Sequence, residues 1–240
     1  MRKGGCSKMK KCGKTALSLL LSVSMGVATV TPVMASPARG EPELNPLVAV
    51  IEKVNSGDTL NLTEEGTLDW VHITGKEINR KSGDEELIQW ENLDADSALS
   101  TAGDSAMAYT WTDGTPVVEK TNDTHAGVFN YRGIETGVVE EDAGYRISIP
   151  AADETRTLTF VSGIWQASAE IGITVNEDEK PVYTTQLKAG GSAEMNKYTV
   201  TVREGNEVTI TTKIKEKTHK DGNLSLGGIA LKTVEPSPIA

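Results

Sequence analysis

Four tryptophans, Trp70, Trp90, Trp111 and Trp165, stand out in a chain of 240 residues with an aromatic content of 5%. Two of them lie beside groups that bond hydroxyls: Trp70 falls in Asp69-Trp-Val-His72, and Trp111 comes just before Thr112-Asp113-Gly114. An aromatic face stacks on the apolar C–H surface of a sugar ring while nearby Asp, Asn or Arg side chains bond its hydroxyls. On this reading the ligand contacts are Trp70, His72, Trp111, Asp113, Tyr131 and Trp165. The competing reading places each tryptophan in a core and gives His72 a buried hydrogen bond. Asp69, His72 and Asp113 would then tie loops to backbone amides around a buried tryptophan.

Bond-breaking chemistry finds less support. A nucleophilic serine needs a strained turn such as Gly-x-Ser-x-Gly, and the sequence has none. His72, His125 and His219 form no HExxH or other metal-ligand spacing. Neither a phosphate-cradling Gly-x-x-x-x-Gly-Lys-Ser/Thr loop nor a strand-linked Gly-x-Gly-x-x-Gly is present. Glu140-Glu141-Asp142 offers paired carboxylates of the kind glycoside hydrolysis needs, but adjacent acids before Gly144 read as a solvated turn. The expectation is a non-catalytic chain without a cofactor. Asp58 and Asp113 beside glycines read as turn formers, with a structural calcium as the alternative.

The charge balance narrows the partners. The chain carries 24 Lys+Arg against 34 Asp+Glu, a net −10, but residues 1–35 hold six of the basic residues and no acid. The remainder has 18 basic residues against 34 acidic ones, a net −16. Such a body repels phosphate backbones and anionic membranes, so neither nucleic acid nor membrane is an expected partner. Residues 1–14 are basic, Ala16 to Val33 is largely apolar, and Val33-Met34-Ala35 puts small residues at −3 and −1 of a cleavage point. That is the pattern of a secretory signal peptide over 1–35. Cys6 and Cys12 would leave with it, so the mature chain must fold without disulfides. The expected location is extracellular or cell-wall associated.

The elements that must position the tryptophans read as strands. Residues 36–44 form a flexible lead-in rich in Pro, Ala, Gly and acid. Over 45–56, Asn45-Pro46 followed by Leu47, Val50, Ile51 and Val54 suggests a short amphipathic helix, with a strand as the alternative because the segment is rich in β-branched residues. From Gly57 the apolar period changes to two: Leu60 and Leu62; Tyr145, Ile147 and Ile149; Leu158 and Phe160; Ile171, Ile173 and Val175. Tyr198, Val200 and Val202, the turn Arg203-Glu204-Gly205-Asn206, then Val208, Ile210 and Ile214 read as a hairpin. Gly227-Gly228 interrupts the last strand, marking a bulge or a close backbone approach. Leu87-Ile88 suggests an edge strand among acidic loops. About ten strands, each with one apolar face, call for two packed sheets over 57–234, with 235–240 as a tail. The expected class is all-β, a β-sandwich.

The run Gly66-Thr-Leu-Asp-Trp70-Val-His72-Ile-Thr-Gly75, followed by Tyr109-Thr-Trp111-Thr-Asp113-Gly114-Thr-Pro116, resembles galactose-binding-like jelly-roll modules of secreted bacterial glycoside hydrolases and surface proteins. The likeness continues through Gly127-Val-Phe129, Arg156 to Gly163 and Gly222 to Leu231. The family pattern places a second aromatic after the histidine of Asp-Trp-x-His, where this chain has Ile73. The resemblance implies a jelly-roll fold and an accessory role in binding a polysaccharide or cell-surface glycan. The alternative is a structural or adhesive module that meets a surface protein, and a third reading is a small esterase or glycosidase whose site only folding assembles.

Overall fold

The computed structural model describes residues 47–234 apart from 76, 84, 95–98, 130–135, 140–142 and 177. The signal segment 1–35, the lead-in 36–44, the tail 235–240, Tyr131 and the acid run 140–142 lie outside the described residues.

Alternating apolar and polar residues produce strands almost throughout. The first are β1 (Leu47–Lys53), β2 (Asp58–Asn61), the one-turn helix α1 (Leu62–Glu65), β3 (Asp69–Ile73), β4 (Ile78–Lys81), β5 (Gln89–Asn92), β6 (Leu99–Ala102) and β7 (Met107–Trp111). There follow β8 (Gly114–Thr115), β9 (Lys120–Asp123), β10 (Ala126–Phe129), β11 (Gly137–Val138), β12 (Gly144–Ile149) and β13 (Arg156–Trp165). The last are β14 (Ala167–Val175), β15 (Tyr183–Ala189), β16 (Glu194–Val202), β17 (Val208–Lys217) and β18 (Asn223–Thr233).

These strands form a β-sandwich. A nine-stranded sheet runs β1-β16-β13-β18-β3-β4-β8, with β10 also on β18 and β6 on β10. A six-stranded sheet runs β15-β14-β17-β12-β5, with β11 on β17. Their facing sides bury one main core, in which Val71, Phe160 and Leu231 of the first sheet share a cluster with Tyr145, Ile171 and Ile210 of the second. A small three-stranded sheet, β2-β7-β9, makes a third layer with α1. Its Leu60, Leu62, Met107, Tyr109 and Trp111 form a second core with Trp70, Val161 and Ala230 of the nine-stranded sheet. Trp70 and Val71 are neighbours in β3 and enter different cores, as period-two alternation requires.

Three expectations are corrected. Leu47–Lys53 is a strand, paired with β16 from Leu47↔Val202 to Lys53↔Asn196, rather than a helix. Its residues satisfy both periods, and pairing Leu47, Ala49 and Ile51 beside the core buries more than an isolated turn of β-branched residues could. The expected hairpin at 198–214 is a crossover: β16 lies in the nine-stranded sheet and β17 in the six-stranded one. Both strands still turn their apolar faces to the same core, from opposite sides. The strands number eighteen among the described residues rather than about ten, because short pieces such as β8 and β11 leave no periodic trace.

Gly227-Gly228 makes both a bulge and a close approach. Phe160 pairs with Ile229 and Ser162 with Leu226, so β18 spends one more residue than β13 over this stretch. Along one edge of β18, β10 pairs with Leu224–Leu226 and β3 with Gly228–Leu231, so the glycines sit at their junction. Tyr109 occupies the space left by the missing side chains. A Cβ on Gly227 would overlap its hydroxyl, and one on Gly228 would lie 2.6 Å from Tyr109 Cε1. Gly227→Ala should therefore destabilise the protein by about 2 kcal/mol or more in urea unfolding; an unchanged midpoint would mean that the ring and glycines are not tightly packed.

Candidate binding groove

The aromatic residues singled out by sequence separate into two places. Trp70, His72 and Trp111 lie together between the nine-stranded sheet and the third layer, all buried. Ring centroids are 5.5 Å apart for Trp70 and Trp111, 5.0 Å for His72 and Trp111, and 4.7 Å for His72 and Tyr109. Their polar atoms are engaged inward: Trp111 Nε1–H donates to the Val117 carbonyl at 2.8 Å, and Trp70 Nε1–H to Asp113 Oδ1 at 2.9 Å. The sequence expectation makes these three residues ligand contacts, and the structure places all three out of contact with solvent.

Asp113 is half-exposed and works as a tie. Besides Trp70, it accepts from Thr63 Oγ1 at 2.6 Å and from Lys81 Nζ at 2.5 Å. Partial burial works to raise its pKa, but the hydrogen bonds from Lys81, Thr63 and Trp70 outweigh it and hold the carboxyl below its ordinary value. Asp69 is fully buried and links the two large sheets, because Oδ2 accepts the Ile88 amide at 2.8 Å just before β5, as well as Arg80 at 3.3 Å. Burial raises its pKa against those bonds. Among the described residues no group of three or more His, Cys, Asp and Glu could hold a metal ion, and Asp58 Oδ2 accepts the Asn55 amide in a turn.

Trp165 stands elsewhere. Where the third layer stops, the outer face of the nine-stranded sheet opens into a groove of about 430 Å³. Gly163 of β13 lies in its floor, flanked by Met195 of β16 and Ser225 of β18: a Cβ on Gly163 would lie 2.6 Å from Ser225 Oγ and 3.1 Å from Met195 Cε. Val128 and Ala126 of β10 continue the lining, Ala102 to Ala106 bound it on the side of the third layer, and Trp165 and Asn223 border the other end. Trp165 is half-buried, with its Nε1–H 3.4 Å from the Gly191 carbonyl and its ring edge-on to His219 at 5.4 Å. Lys53, Asp104 and Glu194, all exposed, also border the groove.

Of the ligand contacts expected from sequence, Trp165 borders this groove, and the rest of the lining was not among them. A groove is marked by absent side chains, and the available signal was Gly163 near the end of a strand that alternates apolar and polar residues. No known protein family and no curated protein matches the chain. Solved structures to which it is similar include TmCBM61 in complex with β-1,4-galactotriose, at 11% identity and TM-score 0.37, covering 64% of this chain and 92% of that one. Another is a proposed sugar binding protein from Bacteroides thetaiotaomicron, at 9% identity and TM-score 0.32, covering 75% and 95%. A third is the C-terminal family 22 carbohydrate binding module of Clostridium thermocellum Xyn10B, at 11% identity and TM-score 0.20, covering 61% and 92%. These values are too low to place the chain in a family.

The buried His72 has a measurable consequence. Its Nε2 lies 3.1 Å from the His125 carbonyl, which only accepts, so the proton sits on Nε2; Nδ1 is buried without a partner. Burial pushes its pKa down from 6.5 to about 4, against the attraction of Asp123 and the bond to His125. The unfolded chain therefore binds this proton more readily. The stability that neutral His72 contributes is complete above about pH 6.5 and is lost as the pH falls towards 4. The unfolding free energy should drop by about 3 kcal/mol over that interval, and His72→Gln should flatten the profile. Equal pH dependence in the variant would contradict this assignment.

Proposed function

We propose that this chain is a secreted, non-catalytic carbohydrate-binding module of the galactose-binding-like, jelly-roll kind, whose ligand lies in the groove beside Trp165. The observation that carries the reading is a half-buried tryptophan, braced by Gly191 and His219, bordering an open groove on a sheet face. A pyranose ring needs an apolar surface to stack on and short polar groups for its hydroxyls. Trp165 and Met195 supply the first, and Ser105, Asn223 and Ser225 supply the second. Two acids and one base among the lining residues, on an acidic chain, favour a neutral glycan over a uronate-rich one. The basic and apolar character of 1–35 supports export, and hence a polysaccharide or surface glycan outside the cell.

A structural or adhesive role is the second reading. It is favoured by β1, a terminal strand of the nine-stranded sheet whose Val48 is 54% exposed, a strand edge of the kind that pairs with another chain.

Affinity electrophoresis through gels containing galactan, xylan, mixed-linkage β-glucan or mannan tests the first reading. Retention on at least one gel is expected. Trp165→Ala should weaken it by roughly thirtyfold, about 2 kcal/mol, while the thermal midpoint stays within a few degrees of the wild type. Retention that survives the substitution would remove the groove as the site, and protein–protein capture without retention on any gel would favour the second reading.

A further inference from the structure

We propose that His72, which no ligand in the groove can touch, is the positioning residue of the groove's wall, an inference that rests on the groove being the binding site. The wall is Ala102, Asp104, Ser105 and Ala106, backed by the segment 123–126, of which Ala126 also lines the groove. They meet as β6 and β10, with Ala102 opposite Ala126. Beyond that ladder they are clipped together: Thr124 Oγ1–H donates to the Gly103 carbonyl at 2.9 Å, and the Ser105 amide donates to the Thr124 carbonyl at 2.9 Å. Asp123 Oδ1 accepts both the His125 amide, at 3.0 Å, and His125 Nδ1, at 2.5 Å. The His125 carbonyl then meets Nε2–H of His72 at 3.1 Å.

His72 belongs to β3, held in the sheet by its pairing with Gly228 and Asn79. Tyr109 and Trp111 pack against its ring. The imidazole thus ties the segment just ahead of β10 to β3 across the sheet, beside Tyr109 and Trp111 of the third layer. A leucine there fills the space but offers no donor, and leaves the His125 carbonyl without its partner. A glutamine carries an amide nitrogen at about the reach of Nε2 and restores the donor.

Hydrogen–deuterium exchange on the full chain, read by mass spectrometry, tests this without any glycan. In His72→Leu, exchange over 103–106 and 124–126 should rise about fivefold to tenfold, while β14 and β17 keep wild-type rates. His72→Gln should bring the wall back to within about twofold of wild type. Should His72→Leu fail to fold, His72→Asn, whose amide stops short of the carbonyl, takes its place with the same expectation. An unchanged wall, an equal rise in β14 and β17, or a glutamine variant as fast as the leucine one would overturn the inference. Because the exchange needs no sugar, an unchanged wall together with loss of gel retention in Trp165→Ala would overturn this inference and leave the binding reading standing.

Discussion

Covering the outer face of the nine-stranded sheet is the constraint from which the candidate site follows. The inner face is disposed of against the six-stranded sheet in one continuous core. The outer face presents Trp70, His72, Val161 and Ala230, too much apolar surface to leave in water, and β2, β7, β9 and α1 are laid over it. That cover can sit close because β18 has no side chains at Gly227 and Gly228, which lets Tyr109 lie against its backbone. Among the described residues the third layer has three strands of 4, 5 and 4 residues, set against 10 in β13 and 11 in β18. What it leaves bare is lined by small or flexible residues, Gly163, Ser225, Ala126 and Met195, and the result is a groove rather than a flat surface.

Three polar groups hold these layers in place, Asp69 and His72 buried and Asp113 half-buried. Each is tied to a backbone or side-chain partner from a different element: Asp69 to Ile88 ahead of the second sheet, Asp113 to Trp70 and Thr63, and His72 to His125. A buried carboxylate or imidazole without such partners would cost several kcal/mol, so these bonds fix which segments lie together as well as contributing to stability. Two of their buried atoms lack a partner, Oδ1 of Asp69 and Nδ1 of His72, and the second is tolerated because the ring stays neutral.

Much of the fold was legible because alternation is a local property. Tyr145, Ile147 and Ile149, or Ile171, Ile173 and Val175, declare a strand with one buried face whatever its neighbours. Which sheet a strand joins is not local, so the turn at 203–206 read as a hairpin although it carries the chain from one sheet to the other. Leu47 to Val54 fit both helical and extended spacing, and only pairing with β16 decides between them. For the site, Asp-Trp-x-His looked the same whether the tryptophan faced water or core. The alternation that puts Val71 in one core puts Trp70 and His72 under a third layer that no periodicity announces. Trp165 was separable from them only once Gly163 and Ser225 were seen to leave space in front of it.

A groove on a sheet face, as opposed to a site on loops, offers a ligand a rigid floor. Its strands belong to the main sandwich, so little backbone must be ordered on binding. The most direct measurement of whether it is the binding surface is a ¹⁵N–¹H correlation spectrum recorded during titration with neutral oligosaccharides. Of the four tryptophan indole signals, that of Trp165 should move, together with the amides of Gly163, Asn223 and Ser225. Perturbations confined to another face, or none with any sugar that the protein is seen to bind, would contradict the account.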